Sequence, residues 1–381
     1  MERYSTYPSV GEESLQRRRQ TGGHGSGGKG AHVAGVGSHM RSNVYTETGD
    51  ASVLSLVDRP VLEPGPGEVR VRVIVSGVNP TDWKSRRGSG NSASSAPESV
   101  PNQDGAGVID AVGPDVTEFR AGDRVWLAIS AYQRPTSGTA QEFTIALASR
   151  VFPLPDEADF SVGASLGVPA VTAHRALTVA EDGPSRLSPG ALDGRVVLVA
   201  GGAGAVGHAA IQLARWAGAT VITTVSSEAK AALATAAGAH HVVVYTAPDA
   251  AEQIRAVAPN GVDQVVEVAV SANDALNVAV AHSRTTIASY ANDRGAPFAL
   301  NVGRAMQLNL RYQFVLIYTV GADVLAATAE DINAALRDGA LPIGVDAGLP
   351  LHRFTLEETA NAHEAVENDI VGKVLIDVAV V

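Results

Sequence analysis

Residues 196–207 read Val-Val-Leu-Val-Ala-Gly-Gly-Ala-Gly-Ala-Val-Gly, so an apolar run of β-formers leads straight into a complete G-x-G-x-x-G at Gly202, Gly204 and Gly207. A helical pattern of apolar residues follows at once in Ala210, Ile211, Leu213, Ala214 and Ala217. Strand, glycine turn and helix in that order are the context that makes this motif a dinucleotide site. The first glycine makes the tight turn and the second lets the backbone approach a pyrophosphate. The third lets helix and strand pack closely, and the helix N-terminus then faces the phosphate charge. Gly202, Ala203, Gly204, Ala205 and Val206 are the expected phosphate-side residues. In a chain with 39 glycines the motif alone is weak, and a glycine-rich structural turn is its competitor.

The elements needed to hold such a turn are legible around it. Strands are expected at 196–200, 220–225, 241–245, 263–268 and 284–289. Helices fall between them near 204–217, 227–237, 249–258 and 273–282, and a sixth strand near 312–318 and a helix near 323–338 complete the set. Regular alternation of this kind implies a parallel sheet covered on both faces. Ahead of it the pattern is β-rich. Val69, Val71, Val73 and Val75 alternate with Arg70, Arg72 and Ile74, a strand with one buried face, after the turn Pro64-Gly65-Pro66-Gly67. Short strands at 108–112 and 124–127, with a Ser-, Gly- and Ala-rich loop at 88–100, predict a barrel-like domain over roughly 41–165. The tail from Phe354 reads as a helix and then a strand, 374–378. That strand follows the nucleotide-binding segment, so the chain is expected to return to the first domain. The expected division is 40–165 with 341–381 for the discontinuous first domain, and 166–340 for the second.

Composition sets the boundaries. The 381 residues allow two domains, and 45% hydrophobic with 18% charged residues is a globular α/β composition. A net charge of −11 argues against a nucleic-acid or anionic-membrane partner. The absence of cysteine excludes disulfides, thiolate zinc sites and cysteine nucleophiles, and fits a reducing cytoplasm. No apolar run is long enough to span a bilayer. Residues 1–39 lack apolar periodicity, and Gly37-Ser38-His39-Met40 looks like the scar of a cleavable tag; a flexible leader is expected there.

Several ordered blocks, namely 77–82 (Gly-Val-Asn-Pro-Thr-Asp), 104–108 (Asp-Gly-Ala-Gly-Val), 122–125 (Gly-Asp-Arg-Val), 172–177 (Thr-Ala-His-Arg-Ala-Leu), the glycine turn and 372–374 (Gly-Lys-Val), resemble the medium-chain dehydrogenase/reductase superfamily. Within it they are similar to the zinc-free quinone oxidoreductases related to zeta-crystallin. The resemblance runs from residue 41 almost to the end. It implies a GroES-like barrel interrupted by a Rossmann domain, in agreement with the discontinuous layout. Zinc-dependent members place a cysteine in the block where this chain has Asn79, and a histidine and glutamate where it has Gln103-Asp104. Without those ligands a tetrahedral zinc site has no donors, and no metal is expected.

An NAD site usually carries Asp or Glu about 20 residues beyond the glycines. Here Ile222-Thr223-Thr224-Val225-Ser226-Ser227 offers no carboxylate to repel a 2′-phosphate. The resemblance implies a small hydroxyl, a lysine and a tyrosine for NADPH at positions matching Ser226 or Ser227, Lys230 and Tyr245, and a lysine with hydroxyls does suit phosphate oxygens. The bland alternative makes Lys230 a solvated helix residue and Tyr245 a strand-end aromatic, and Glu228 nearby weakens the local positive potential. Topology and the resemblance add Ser271 after the fourth strand, Ser289 and Tyr290 after the fifth, and Phe314, Val315 and Leu316 on the nicotinamide side. Asn79 is the best polar candidate for the chemistry, as a donor to a ribose hydroxyl or a substrate oxygen; its competing role is to cap the turn before Pro80. Asp82, Lys84, Gln103, Tyr132 and Lys373 are candidates to line the cleft, the first four on the substrate side and Lys373 on the cofactor side. Many family members carry a tyrosine where Lys84 stands. Among the ten histidines, His240-His241 point to opposite sides of a strand and His174 reads as packed, so none is assigned to catalysis.

The expected activity is zinc-independent, NADPH-dependent hydride transfer to a quinone or an activated alkene, in a cytoplasmic homodimer. An enoyl-thioester reductase of the same superfamily and a non-enzymatic NADPH-binding protein are the alternatives.

Overall fold

The computed structural model describes residues 39–89, 97–292 and 296–379. The expected leader, apart from His39, and residues 90–96 of the expected loop lie outside the described residues.

The described chain opens with an antiparallel pair, β1 (His39–Val44) and β2 (Ser55–Pro60). β3 (Glu68–Val78) follows, then the short helix α1 (Pro80–Arg86), and then β4 (Asp104–Val112), β5 (Arg124–Leu127), β6 (Phe143–Leu147) and β7 (Val151–Pro153). β3 is longer than its alternating core, and it does not have a single buried face. Arg70, expected to face outward, is buried, with its guanidinium bonded to Asp110 at 2.5 Å and Glu63 at 2.9 Å. Burial of a charge is tolerable here because partners meet it.

α2 (Phe160–Thr178) then packs against β4 and β5 on one side and against the parallel-sheet region on the other. The domain boundary expected at 165/166 falls within this continuous helix. Next come β8 (Val196–Ala200), α3 (Ala205–Trp216), β9 (Thr220–Val225), α4 (Glu228–Ala236), β10 (His241–Val244) and α5 (Ala250–Val257). They are followed by β11 (Val262–Glu267), α6 (Val270–Val280), β12 (Ala281–Ser289), α7 (Val302–Gln307), β13 (Arg311–Phe314) and α8 (Ala322–Arg337). The six strands are parallel and lie in the order β10-β9-β8-β11-β12-β13. Strand order therefore reverses between β8 and β11, and ligands bind beyond the carboxyl ends of strands at such a switch point.

β14 (Leu351–Thr355), α9 (Thr359–Glu367) and β15 (Lys373–Asp377) complete the described chain. β15 pairs parallel with β14 and antiparallel with β3, Val374 opposite Val78 and Leu375 opposite Gly77. The second sheet thus runs β14-β15-β3-β4-β5-β7, with β6 also paired to β3. The chain does return to its first sheet after building the parallel one. Among the described residues no helix is long and apolar enough to cross a membrane.

Two elements differ from expectation. Ser271, expected at the end of the fourth strand, lies in the first turn of α6, because that helix starts at Val270. The sixth strand stops at Phe314, and Ile317–Thr319 form a 3-10 turn that carries Tyr318 inward.

Candidate active site

The glycine turn follows β8 at the switch point. Gly201 takes φ +74°, a left-handed conformation open to glycine, and Gly204 caps α3. A Cβ on Gly202 would stand 2.2 Å from Thr223 Oγ1, and one on Gly207 would stand 2.3 Å from the Gly201 carbonyl oxygen. Both glycines are there because strand and helix touch. Gly204 differs: a Cβ there would have only the Gly201 oxygen near it, at 3.4 Å, so its outer side is open. The first-turn amides of α3, those of Ala205 and Val206 included, have no intrahelical acceptor and carry the positive end of the helix dipole. Ala203 is buried beneath them. Turn and helix therefore form a cradle that fits a pyrophosphate.

At the end of β9 the neighbouring candidates meet. Lys230 Nζ donates to Ser226 Oγ at 3.1 Å, and Ser227 caps α4 by accepting from the Lys230 amide. The Tyr245 amide donates to the Val225 carbonyl, which brings that half-exposed tyrosine to the same corner. Further along the strand ends, Ser271 Oγ donates to Asn292 and to the Ala296 carbonyl, and Ser289 Oγ donates to the Ala291 carbonyl. The Tyr290 amide donates to the Glu267 carbonyl, and burial together with the Glu267 charge holds its phenol above the ordinary range. Val315 is buried and its amide donates to the Ser289 carbonyl, while Phe314 and Leu316 are exposed on either side of it.

On the barrel side a buried polar knot gathers Asn79, Asp82, Gln103, Asp104 and Lys373, each at most 3% exposed. Asn79 is the N-cap of α1, with Pro80 at the first helical position, and its backbone N–H donates to Asp82 Oδ2 at 2.7 Å. Its side chain does more than cap. Nδ2 donates to Asp104 Oδ2 at 2.6 Å, and Oδ1 accepts from Lys373 Nζ at 2.7 Å. Lys373 Nζ also donates to the Val78 carbonyl and lies 3.8 Å from Asp104 Oδ2. Asp104 Oδ1 accepts from the Val168 amide of α2, which needs Gly167: a Cβ there would fall 2.1 Å from that oxygen. Burial, then the Asp104 charge, pushes the Asp82 carboxyl well above the carboxylate range. Burial pushes Asp104 up to about 6 against the pull of Lys373 and Asn79, and burial also lowers the Lys373 ammonium.

Tyr318 joins the knot to the parallel sheet. Its hydroxyl donates to Thr81 Oγ1 at 2.9 Å, and its ring packs against Tyr132 with centroids 4.9 Å apart. Lys84 is not gathered in: it is exposed on α1, with its ammonium 5.6 Å from the Trp83 ring. His174 is buried and bonded to Asp331 at 2.8 Å and Thr328 at 3.2 Å, and His240 Nδ1 accepts from the Val221 amide. Both have structural partners. Asp104, Thr81, Tyr318 and Gly167 escaped the sequence reading as site residues. An acid opening the apolar strand 104–109 was the available signal for Asp104; nothing local marked Gly167.

Residues 65–156 match the alcohol dehydrogenase GroES-like domain model, and residues 205–338 match the zinc-binding dehydrogenase model. A quinone oxidoreductase of Lama guanicoe is 31% identical over 343 residues, covering 88% of this chain and 97% of its own. The chain belongs to the quinone oxidoreductase family. It is an oxidoreductase of the medium-chain dehydrogenase/reductase superfamily, a GroES-like domain joined to a Rossmann-type parallel sheet. A mycobacterial protein solved in complex with NADPH superposes with a TM-score of 0.74 at 28% identity, covering 89% of this chain and all of its own. An NAD-dependent alcohol dehydrogenase superposes equally well, TM-score 0.76 at 27% identity with the same coverage, so overall likeness does not choose cofactor or substrate.

The zinc named by the second model does not fit this donor set. The chain has no cysteine, and among the described residues no three His, Asp or Glu side chains are placed to hold a metal. The cation among the knot's oxygens is the Lys373 ammonium.

Proposed function

We propose that this oxidoreductase transfers hydride from NADPH to a quinone or another conjugated acceptor without zinc. The observation that carries the reading is the donor set: the chain has no cysteine, no three His, Asp or Glu side chains among the described residues are placed to hold a metal, and the cation bonded within the knot is the Lys373 ammonium. A saturated alcohol needs its hydroxyl proton removed, which a bound metal makes easy. A conjugated acceptor needs less help, because delocalisation spreads the charge that arrives with the hydride. Bound reduced nicotinamide supplies that hydride, and a proton from solvent completes the two-electron reduction. The chain's own residues hold and orient: Gly202 to Val206 at the pyrophosphate, Ser226, Ser227, Lys230 and Tyr245 at the 2′-phosphate, and Ser271, Ser289, Tyr290 and 314–316 toward the nicotinamide. Asn79 and Lys373 fix the floor beneath them.

The same reading assigns 40–165 with 341–381 to the substrate-side domain and 166–340 to the nucleotide domain, α2 being shared between them. A cytoplasmic homodimer is part of it. Its partner surface is β13, which among the described residues pairs with β12 alone and follows the exposed Met306 of α7, an edge that a second copy would cover.

A substrate panel tests the proposal. NADPH oxidation is expected with 1,4-benzoquinone, 9,10-phenanthrenequinone or a simple enone, undiminished by strong chelation, and essentially none in reverse with ethanol or 2-propanol and NADP. Turnover of secondary alcohols alone refutes it. Turnover of enoyl thioesters alone favours that reductase, and tight NADPH binding with no turnover favours a non-enzymatic role.

A further inference from the structure

Among the described residues the side-chain polar atoms of Asn79, Asp82, Asp104 and Lys373 all have partners, whereas Gln103 Oε1 has none. That residue is 3% exposed and its main chain is fully committed: its N–H donates to Asp82 Oδ1 at 3.1 Å, and its carbonyl accepts from the Ser130 amide at 3.0 Å. The preceding residue, Asn102, is held at φ +77°, a left-handed conformation that costs energy for a residue with a side chain. Three contacts enforce it. Asn102 Nδ2 donates to Ser76 Oγ, His363 Nε2 donates to Asn102 Oδ1, and the Asn102 carbonyl accepts from the Thr139 amide. Burial drives the His363 pKa down to about 3, so its ring is a neutral, fixed donor at neutral pH. The aim of Gln103 is thus built in. Yet among the described residues its Oε1 is buried with no hydrogen-bond partner.

A buried amide oxygen left unsatisfied is unusual and calls for a ligand or a strain role. Its surroundings identify which. Gln103 leads through Ser130 to Tyr132, whose ring packs on Tyr318, and Tyr318 hydrogen-bonds Thr81 next to Asp82. These groups lie where the barrel meets the carboxyl ends of the parallel strands, the side on which this topology binds its ligand.

We infer that Gln103 is the residue that reads the substrate oxygen: its Nε2 donates to the carbonyl of the oxidised acceptor, and its Oε1 accepts the hydroxyl of the reduced product. This rests on the reading given under Proposed function and deepens it. A primary amide carries both a donor and an acceptor, so it complements the C=O and the O–H of the same position. It selects acceptors whose reduction leaves a hydroxyl, and so favours quinones over simple enones, whose stable product is a ketone.

Gln103→Met keeps the side chain's length and removes both hydrogen-bonding atoms. The binding of hydroquinone to the NADP-loaded protein, measured by calorimetry, is expected to weaken about tenfold, the scale of one lost hydrogen bond. kcat/KM for 1,4-benzoquinone is expected to fall by a similar factor and that for a simple enone by less. NADPH affinity and Tm are expected to hold, since the methionine leaves no buried polar atom unpaired. Hydroquinone binding equal in both proteins, or absent in the wild type, overturns the inference whether or not quinones turn over. A fall in Tm with unchanged hydroquinone affinity also overturns it, because it marks a structural amide. Failure of the wild type to reduce any quinone, with NADPH bound, is a separate result and refutes the functional reading instead.

Discussion

Lys230→Ala isolates the cofactor assignment. Lys230 sits in the first turn of α4 with Nζ 3.1 Å from Ser226 Oγ, at a strand end that carries no carboxylate. A 2′-phosphate in that corner would receive a charge-assisted hydrogen bond from the ammonium, with the Ser226 hydroxyl beside it. Hydrogen bonds to charged groups contribute about 1.5–3 kcal/mol. Lys230 is partly exposed, so solvent screening places it at the lower end, about 1.5–2 kcal/mol. KM for NADPH should then rise roughly 10- to 30-fold, at 1.4 kcal/mol per factor of ten. KM for NADH, which lacks the 2′-phosphate, should hardly change. Steady-state rates at saturating quinone, with each cofactor varied in turn, read both numbers. Lys230→Arg should restore most of the loss. If both cofactors weaken equally, Lys230 supports α4 and does not read the phosphate.

The packed and the open glycine of the turn should separate under mutation. Gly207→Ala drives a methyl into the Gly201 carbonyl and should lower stability by about 1–3 kcal/mol, whereas Gly204→Ala, with 3.4 Å of clearance, should keep Tm and lose NADPH affinity; a calorimetric scan with a binding titration checks both. The raised carboxyls of Asp82 and Asp104 hold protons in the folded chain that the unfolded chain releases above its ordinary value of 3.8. Stability should therefore fall as pH rises through that window, from about pH 4 past about pH 6, with the lowered Lys373 acting in the opposite sense toward its own range. Denaturant midpoints of Asp82→Asn measured from about pH 5 to about pH 8 should slope less than those of the wild type; an unchanged slope refutes the assignment. Met306→Asp places a charge on the exposed apolar surface leading into β13 and should shift the protein to monomers in sedimentation or light scattering, with NADPH binding retained.

Local pattern carried the parallel sheet further than the barrel. Apolar runs bounded by glycine gave β8 to β11 nearly to the residue, because strands buried on both faces read as continuous hydrophobic stretches. The barrel's short strands are held by long-range pairing, and β1, β6, β7 and β14 left little periodicity to read. The glycine turn was visible because its chemistry is local. The knot was visible only as scattered names: Asn79, Asp82, Gln103 and Lys373 each looked like a cleft residue, and nothing in spacing said that they bond one another. Asp104 was passed over as part of a family block, and Gly167 could be understood only once the Asp104 oxygen was seen against it.

The bond from Lys373 to Asn79 spans 294 positions, and the whole parallel sheet is made between its two ends. This order has a cost during synthesis. β3 emerges early, yet its partner β15 does not exist until the nucleotide-binding half has been translated. Until then the edge from Val75 to Val78 is unpaired, and Asp104 waits for its lysine. An open apolar edge beside an uncompensated acid invites pairing with a neighbouring nascent chain. The enzyme's floor is thus set last, and the ribosome must carry an unfinished barrel for more than half the length of the protein.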